Sequence, residues 1–299
     1  MTVLVDVQQI VTLTEAGRAP VLLDVRWALG DPHGHDHYRA GHLPGAVYVD
    51  LDAELAAPPS AAAGRHPLPS LADLQAAARR WGVRAGSTVI VYDDWNTMAA
   101  ARAWWLLRWA GVADVRLLDG GLGAWRSAGL PLEAGDAPAA EPGDVVLAAG
   151  ALPTLDADGT AALAASATGV VLDARAGERY RGEVEPIDPR AGHVPGAVNA
   201  PTAANLDPDG RFLPPAALRE RFAALGVDDG TPVAVYCGSG VTAAHELVAL
   251  TVAGLTGAAL YPGSWSQWSA DPTRPIAPRT HQAPPSLAVI GRYWEVPLR

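Results

Sequence analysis

Four short segments of this 299-residue chain recur in the same order. VLLDVR at 21–26 returns as VVLDAR at 170–175, and GHLPGAV at 41–47 returns as GHVPGAV at 192–198. TVIVY at 88–92 returns as PVAVY at 232–236, and GGLGAW at 120–125 returns as GSWSQW at 263–268, matched in its glycine and terminal tryptophan. The offsets are 149, 151, 144 and 143 residues, so only small insertions separate the copies. Solenoid repeats run to roughly 20–45 residues, so this spacing means a duplicated domain. The boundaries that follow are a first domain at 1–136, a linker at 137–150, a second domain at 151–275 and a tail at 276–299 that matches neither copy. The stretch around the linker, AGDAPAAEPGDVVLAAG at 134–150, is rich in Ala, Gly and Pro, as connecting segments are.

Each half alternates short apolar runs with helical spacing. LLDV, AVYV, VIVY and VRLL read as strands in the first half, and VVLD, AVNA and VAVY in the second. Their nearly continuous apolar character predicts parallel strands covered on both faces. Residues 71–81, 98–110, 215–225 and 241–253 read as the intervening helices. The fold class is therefore α/β, with right-handed crossovers and a central parallel sheet in each half. Such sheets bind ligands beyond the carboxyl ends of their strands, so the residues after VIVY and VAVY are where chemistry belongs.

Bulk properties narrow the function. A net charge of −10 argues against nucleic acid as a partner, because phosphate binding relies on clustered Lys and Arg. No apolar run reaches the length of a membrane span, and the amino terminus lacks the basic start and apolar stretch of a signal peptide. One cysteine forms no internal disulfide, which fits a reducing, cytoplasmic setting.

That cysteine, Cys237, directly follows VAVY. The loop Cys237-Gly238-Ser239-Gly240-Val241-Thr242 then leads into a helical segment. Gly238 and Gly240 permit backbone conformations closed to other residues. A loop of this kind can aim several N–H groups at one point, and the helix start adds positive potential. A thiol placed there is expected to be held partly as the nucleophilic thiolate. A lone buried cysteine is otherwise usually a small apolar filler, so the strand–loop–helix setting carries the assignment. The matching stretch of the first half, Asp93-Asp94-Trp95-Asn96-Thr97-Met98, has neither cysteine nor glycine. One half is thus read as catalytic and the other as supporting.

With both GH-x-PGAV segments, both LD-x-R segments and the CGSGVTA loop in view, the chain resembles the tandem-domain rhodanese family, in its 3-mercaptopyruvate sulfurtransferase branch, over residues 1–275. The resemblance implies two rhodanese-like domains, a nucleophilic Cys237 in the second, and no metal or organic cofactor. It further implies a small-molecule sulfur donor and a thiol, thioredoxin or cyanide acceptor. Ser239, His66 (in RHPLP) and Asp52 (in VDLD) match the family's serine, histidine and acid, with Asp50 as the alternative acid. Arg181 and Arg190, within ERYRGEVEPIDPRAGH, match its substrate-binding segment, whereas Arg179 is read as a surface residue. Gly238, Gly240, Val241 and Thr242 are expected to bind the substrate sulfur. Neutral residues at 238 and 239 favour mercaptopyruvate over dianionic thiosulfate, which remains the alternative donor. A phosphatase would need Arg six residues after the cysteine, where Ala243 stands. A reading of another class is a non-catalytic redox-sensing or interaction module.

Other features receive structural readings. HGHDH at 33–37 lacks a second ligand cluster, so no metal is assigned to it. His42 and His193 belong to the paired turns. Asp24–Arg26 and Asp173–Arg175 recur in both halves, including the one without a nucleophile, which suits scaffold ion pairs. Trp104, Trp105 and Trp109 are expected in the core, and Trp265 and Trp268 against the cysteine loop.

Overall fold

The computed structural model describes residues 2–277. The first half runs β1 (Leu4–Val5), α1 (Val7–Glu15), β2 (Val21–Asp24), α2 (Gly34–Ala40), β3 (Val47–Tyr48), α3 (Leu51–Glu54), α4 (Leu71–Arg80), β4 (Thr88–Tyr92), α5 (Ala100–Trp109), β5 (Asp114–Leu118) and α6 (Gly121–Ser127). The second runs α7 (Ala157–Ala164), β6 (Val170–Asp173), α8 (Gly177–Tyr180), β7 (Val198–Asn199), a 3₁₀ turn at Thr202–Asn205, α9 (Pro215–Ala224), β8 (Val233–Tyr236), α10 (Thr242–Val252), β9 (Ala259–Leu260) and α11 (Ser264–Ala270).

All strand pairs within the sheets are parallel, in the orders β1-β5-β4-β2-β3 and β7-β6-β8-β9. The second sheet lacks a full counterpart of β1; a single bridge from Thr154 to Leu260 stands in its place. The central strands β4 and β8 are almost wholly buried, which is why they read as unbroken apolar runs. AVYV and AVNA shrink to two paired residues each, at the sheet edges.

The repeated motifs build the same local device twice. His42 Nδ1 meets the Tyr38 carbonyl at 3.0 Å, and His193 Nδ1 meets the Tyr180 carbonyl at 2.8 Å, so both rings carry their proton on Nδ1. Each ring stacks on that same tyrosine, at 4.0 and 3.8 Å between centroids. The tyrosine hydroxyls donate onward to Ala46 and Ala197. Arg26 and Arg175 reach back to Asp24 and Asp173 and also hold the carbonyls of Gly41 and Gly192. The LD-x-R and GH-x-PGAV segments are thus one unit, locking the loop after the first crossover onto the sheet in each half.

The halves meet through α5 and α10, the helices that follow β4 and β8. Ala100 to Leu107 and Ala243 to Leu250 are buried without a break, because each helix is covered by its own sheet and by the other half. Trp104 and Trp105 lie in this core as expected, with Trp109 partly buried at its margin. The linker is also fixed. Gly143 N–H donates to Arg79, Ala148 N–H to Ala110 and Ala151 N–H to Trp109, and Val145 and Leu147 are buried against the first domain. The low-complexity composition of that stretch reflects close packing along a surface rather than free coil. Of the tail, only Ile276 and Ala277 lie within the described residues, and Ala277 bridges His193.

The first-half counterpart of the cysteine loop turns without glycine. Asn96 and Thr97 take φ of 55° and 61°, left-handed values that cost about 1–2 kcal/mol for such residues. Asp93, at the position matching Cys237, offsets that strain. Its buried carboxylate accepts the N–H groups of Trp95, Thr97, Ala99 and Ala100, each at 2.8 Å. Burial raises this acid to about 6, with the four N–H bonds working the other way. Asp93→Asn should lower unfolding free energy by about 3 kcal/mol in urea titration, because an amide nitrogen would oppose two of the four donors. An unchanged midpoint would show that the carboxylate does not hold the loop.

Candidate active site

Cys237 leaves the carboxyl end of β8 and is 2% exposed. Its main chain is pinned by the start of α11: Ser264 Oγ accepts the Cys237 N–H at 3.2 Å, and Trp265 N–H donates to the Cys237 carbonyl at 2.9 Å. Ser266 N–H holds the Gly238 carbonyl in the same way. Gly240 N–H donates to Cys237 Sγ at 3.1 Å, so the loop already turns an amide onto the sulfur. Gly240 has φ +80°, and a Cβ there would sit 2.7 Å from the Pro262 carbonyl, so only glycine closes this turn. Val241 and Thr242 continue the loop directly into α10.

Two residues from the first half complete a relay. His66 Nδ1 lies 2.7 Å from Ser239 Oγ, and its Nε2 lies 3.1 Å from Asp52 Oδ1. A carboxylate only accepts, so Nε2 carries the proton and Nδ1 accepts from the serine hydroxyl. The hydrogen bond from His66 holds the Asp52 carboxyl below its usual range. The acid is Asp52; Asp50 instead caps α3 through the Asp52 and Ala53 N–H groups. Trp27, which sequence reasoning missed, steadies both partners. Its indole N–H reaches Asp52 Oδ2 at 3.1 Å, and its ring meets His66 edge-on at 5.5 Å. Its position just after the LD-x-R segment was the available signal.

The arginines require correction. Arg181 pairs with Glu183 through two bonds of 2.8 Å at the surface. Arg190 spends its guanidinium on the carbonyls of Trp268, Ser269, Asp271 and Arg274, closing the end of α11. The structure therefore places neither beside the cysteine loop. Arg179 is not a free surface residue. Its Nη1 and Nη2 lie 3.5 and 3.8 Å from where a Cβ on Gly238 would be, and Arg65 Nη2 lies 3.1 Å from the same point. Asp188 binds both guanidinium groups, and Glu185 binds Arg179. Nε of each arginine is buried without a partner. Gly238 and Ser239 are neutral, yet charged side chains of both signs, Arg65 and Arg179 with Asp188 and Glu185, overhang the loop. Sequence gave weak warning: Arg65 adjoins His66, and Arg179 adjoins Tyr180, whose burial fixes α8.

Trp265 touches the cysteine loop through its main-chain N–H on the Cys237 carbonyl, while Arg175 stacks 4.6 Å over its ring and its indole N–H donates to the Arg190 carbonyl. Trp268 instead donates to Pro275. The HGHDH histidines lie at the surface, His33 facing Asp36, His35 facing Asp136 and His37 facing Asp31. Among the described residues no cluster of His, Cys, Asp and Glu is placed to hold a metal ion, and no helix is long and apolar enough to cross a membrane.

Comparison with known proteins identifies the family. The family profile described as the rhodanese-like domain matches residues 6–128 and 157–271. A Mycobacterium tuberculosis protein provisionally named thiosulfate sulfurtransferase SseB is 51% identical over 280 residues, covering 92% of this chain and 96% of that one. A Pseudomonas aeruginosa protein provisionally named 3-mercaptopyruvate sulfurtransferase is 50% identical over 263 residues, covering 86% and 92%. The crystal structure of the Escherichia coli 3-mercaptopyruvate sulfotransferase SseA superposes with a TM-score of 0.76 at 33% identity, over 89% of this chain and all of that one.

The relay makes a prediction independent of any substrate. Nitrogen NMR should find the His66 ring proton on Nε2, and Asp52→Asn should disturb that tautomer while leaving thermal melting nearly unchanged, since Asp52 is 64% exposed. A proton resident on Nδ1 would contradict the assigned direction.

Proposed function

This chain belongs to the rhodanese-like family, and from that premise we propose that it is a sulfurtransferase moving sulfur from 3-mercaptopyruvate, through a Cys237 persulfide, to a thiol, thioredoxin or cyanide. The observation that carries the donor choice is the pair of guanidinium groups over Gly238, already partly neutralised by Glu185 and Asp188.

The chemistry is a displacement at sulfur. Cys237 thiolate attacks the donor thiol sulfur, forming the S–S bond. The sulfur–carbon bond breaks, and its electron pair passes to the methylene carbon as the enolate of pyruvate. One proton then converts the enolate to pyruvate. Ser239, backed by His66 and Asp52, is the group placed to deliver that proton, with replacement from solvent. The donor carboxylate fits between Arg65 Nη2 and Arg179 Nη1, neither of which has another hydrogen-bond partner within the described residues. The Gly240 N–H, which already meets Cys237 Sγ, stabilises the anionic sulfur of the persulfide. In the second half-reaction an acceptor thiolate takes the outer sulfur and Cys237 thiolate is released, so electrons balance without a cofactor.

Thiosulfate is the second reading, supported by the name of the mycobacterial relative. Two arginines against two carboxylates leave little net charge, which suits a monoanion with a planar carboxylate better than a tetrahedral dianion. The expected result is that 3-mercaptopyruvate adds one sulfur to Cys237 by mass spectrometry, with stoichiometric pyruvate, at higher kcat/KM than thiosulfate. Arg179→Gln should lower kcat/KM for mercaptopyruvate by roughly 10- to 100-fold, the worth of one charged hydrogen bond. An unmodified thiol, or turnover retained in Cys237→Ser, would refute the persulfide and favour a non-catalytic sensor or another nucleophile.

A further inference from the structure

Arg102 is a charge that the relay and the donor clamp leave unexplained. It sits in the middle of α5 and is fully buried. Its Nη1 donates to the Gly240 carbonyl in the other half at 3.2 Å. Its remaining donors go to the carbonyls of Leu55, His66 and Pro67 at 3.0 to 3.3 Å. All four acceptors are neutral, and among the described residues no carboxylate pairs with it. A buried cation without an anion is costly, so such groups are normally paired.

The duplicated fold supplies an internal comparison. The residue matching Arg102 in the second half is Glu246, equally buried on α10. Glu246 is satisfied in place by Arg221 at 2.9 Å and Asn205 at 2.7 Å. Only the charge beside the cysteine loop is left unmatched. The residue matching Cys237 is Asp93, which does carry a negative charge within its loop, held by four amides. One of those amides, Thr97 N–H, corresponds to Val241 N–H. In the second half the Val241 amide belongs to the peptide whose oxygen Arg102 holds, and a trans peptide points its N–H away from its C=O.

We propose that Arg102 is a positioning residue of the sulfur chemistry: it fixes the Gly240–Val241 peptide so that its N–H faces the cradle, and it is the buried counter-charge for the anionic Cys237 thiolate and persulfide. The persulfide part rests on the function proposed above; the thiolate part does not. Burial pushes the Arg102 guanidinium down to about 10, and the Cys237 charge across the loop works in the opposite direction. The other charged groups facing the loop are Arg65 and Arg179 with Asp188 and Glu185 over Gly238, and His66 with Asp52 behind Ser239. On the α10 side the Glu246–Arg221 pair is self-compensated.

The test measures alkylation of Cys237 by iodoacetamide across pH 5 to 10, with thermal melting alongside, in the full chain and in Arg102→Gln and Arg102→Lys. The glutamine variant should react about tenfold more slowly near neutral pH, its profile displaced to higher pH by about one unit. The lysine variant should recover most of the rate by restoring the charge. A folded glutamine variant with the unaltered profile would overturn the proposal, as would failure of lysine to restore it. Where the glutamine variant does not fold, the unsubstituted protein decides. Loading sulfur onto Cys237 should move the Val241 amide proton downfield, and an unmoved Val241 resonance would overturn the proposal. Absence of any added sulfur would instead refute the persulfide while leaving the alkylation profile to stand or fall separately.

Discussion

Everything in this molecule turns on a loop of backbone amides at the end of a buried parallel strand. Such a loop must hold something negative, because amides converging away from water need an acceptor. The chain builds it twice. In the first half the acceptor is internal, the Asp93 carboxylate. In the second half the matching residue is Cys237, and the Gly240 amide already rests on its sulfur. One fold thus yields a cradle filled by its own carboxylate and another in which an amide meets a thiol sulfur.

Duplication also brings the first half into the site. Asp52, His66 and Trp27 come from the first half, and Ser239 and Cys237 from the second. Arg65 crosses the same boundary to Asp188, and Arg102 crosses it to Gly240. Around these polar crossings the α5–α10 interface is a large apolar core, whose packing holds them in place. A loose connection between the halves would disperse them, and the linker strapped to the first domain works against that.

Much of this was legible in the sequence because repetition converts weak signals into paired ones. The sheets, the principal helices and the placing of Cys237 at a strand end followed from the repeated motifs, whereas His66, Asp52 and Ser239 were reached only through the family resemblance. The arginines were not legible. Arg179, Arg181 and Arg190 lie within twelve residues, and a long side chain can turn either way from such a segment. Only the packing of Tyr180 on His193 and the end of α11 decides that Arg179 faces the loop while Arg190 caps a helix. Charge in the loop was likewise a poor proxy for charge in the site, since Arg65 and Arg179 overhang a neutral Gly238.

The central claim is that the amide cradle of the second half receives negative sulfur as that of the first half receives the Asp93 carboxylate. A crystal structure of the sulfur-loaded protein tests it most directly. The account predicts the outer sulfur inside the loop, within hydrogen-bonding distance of amides between Ser239 and Thr242, with Arg102 still on the Gly240 carbonyl. An outer sulfur turned out of the loop, with those amides facing elsewhere, would contradict it.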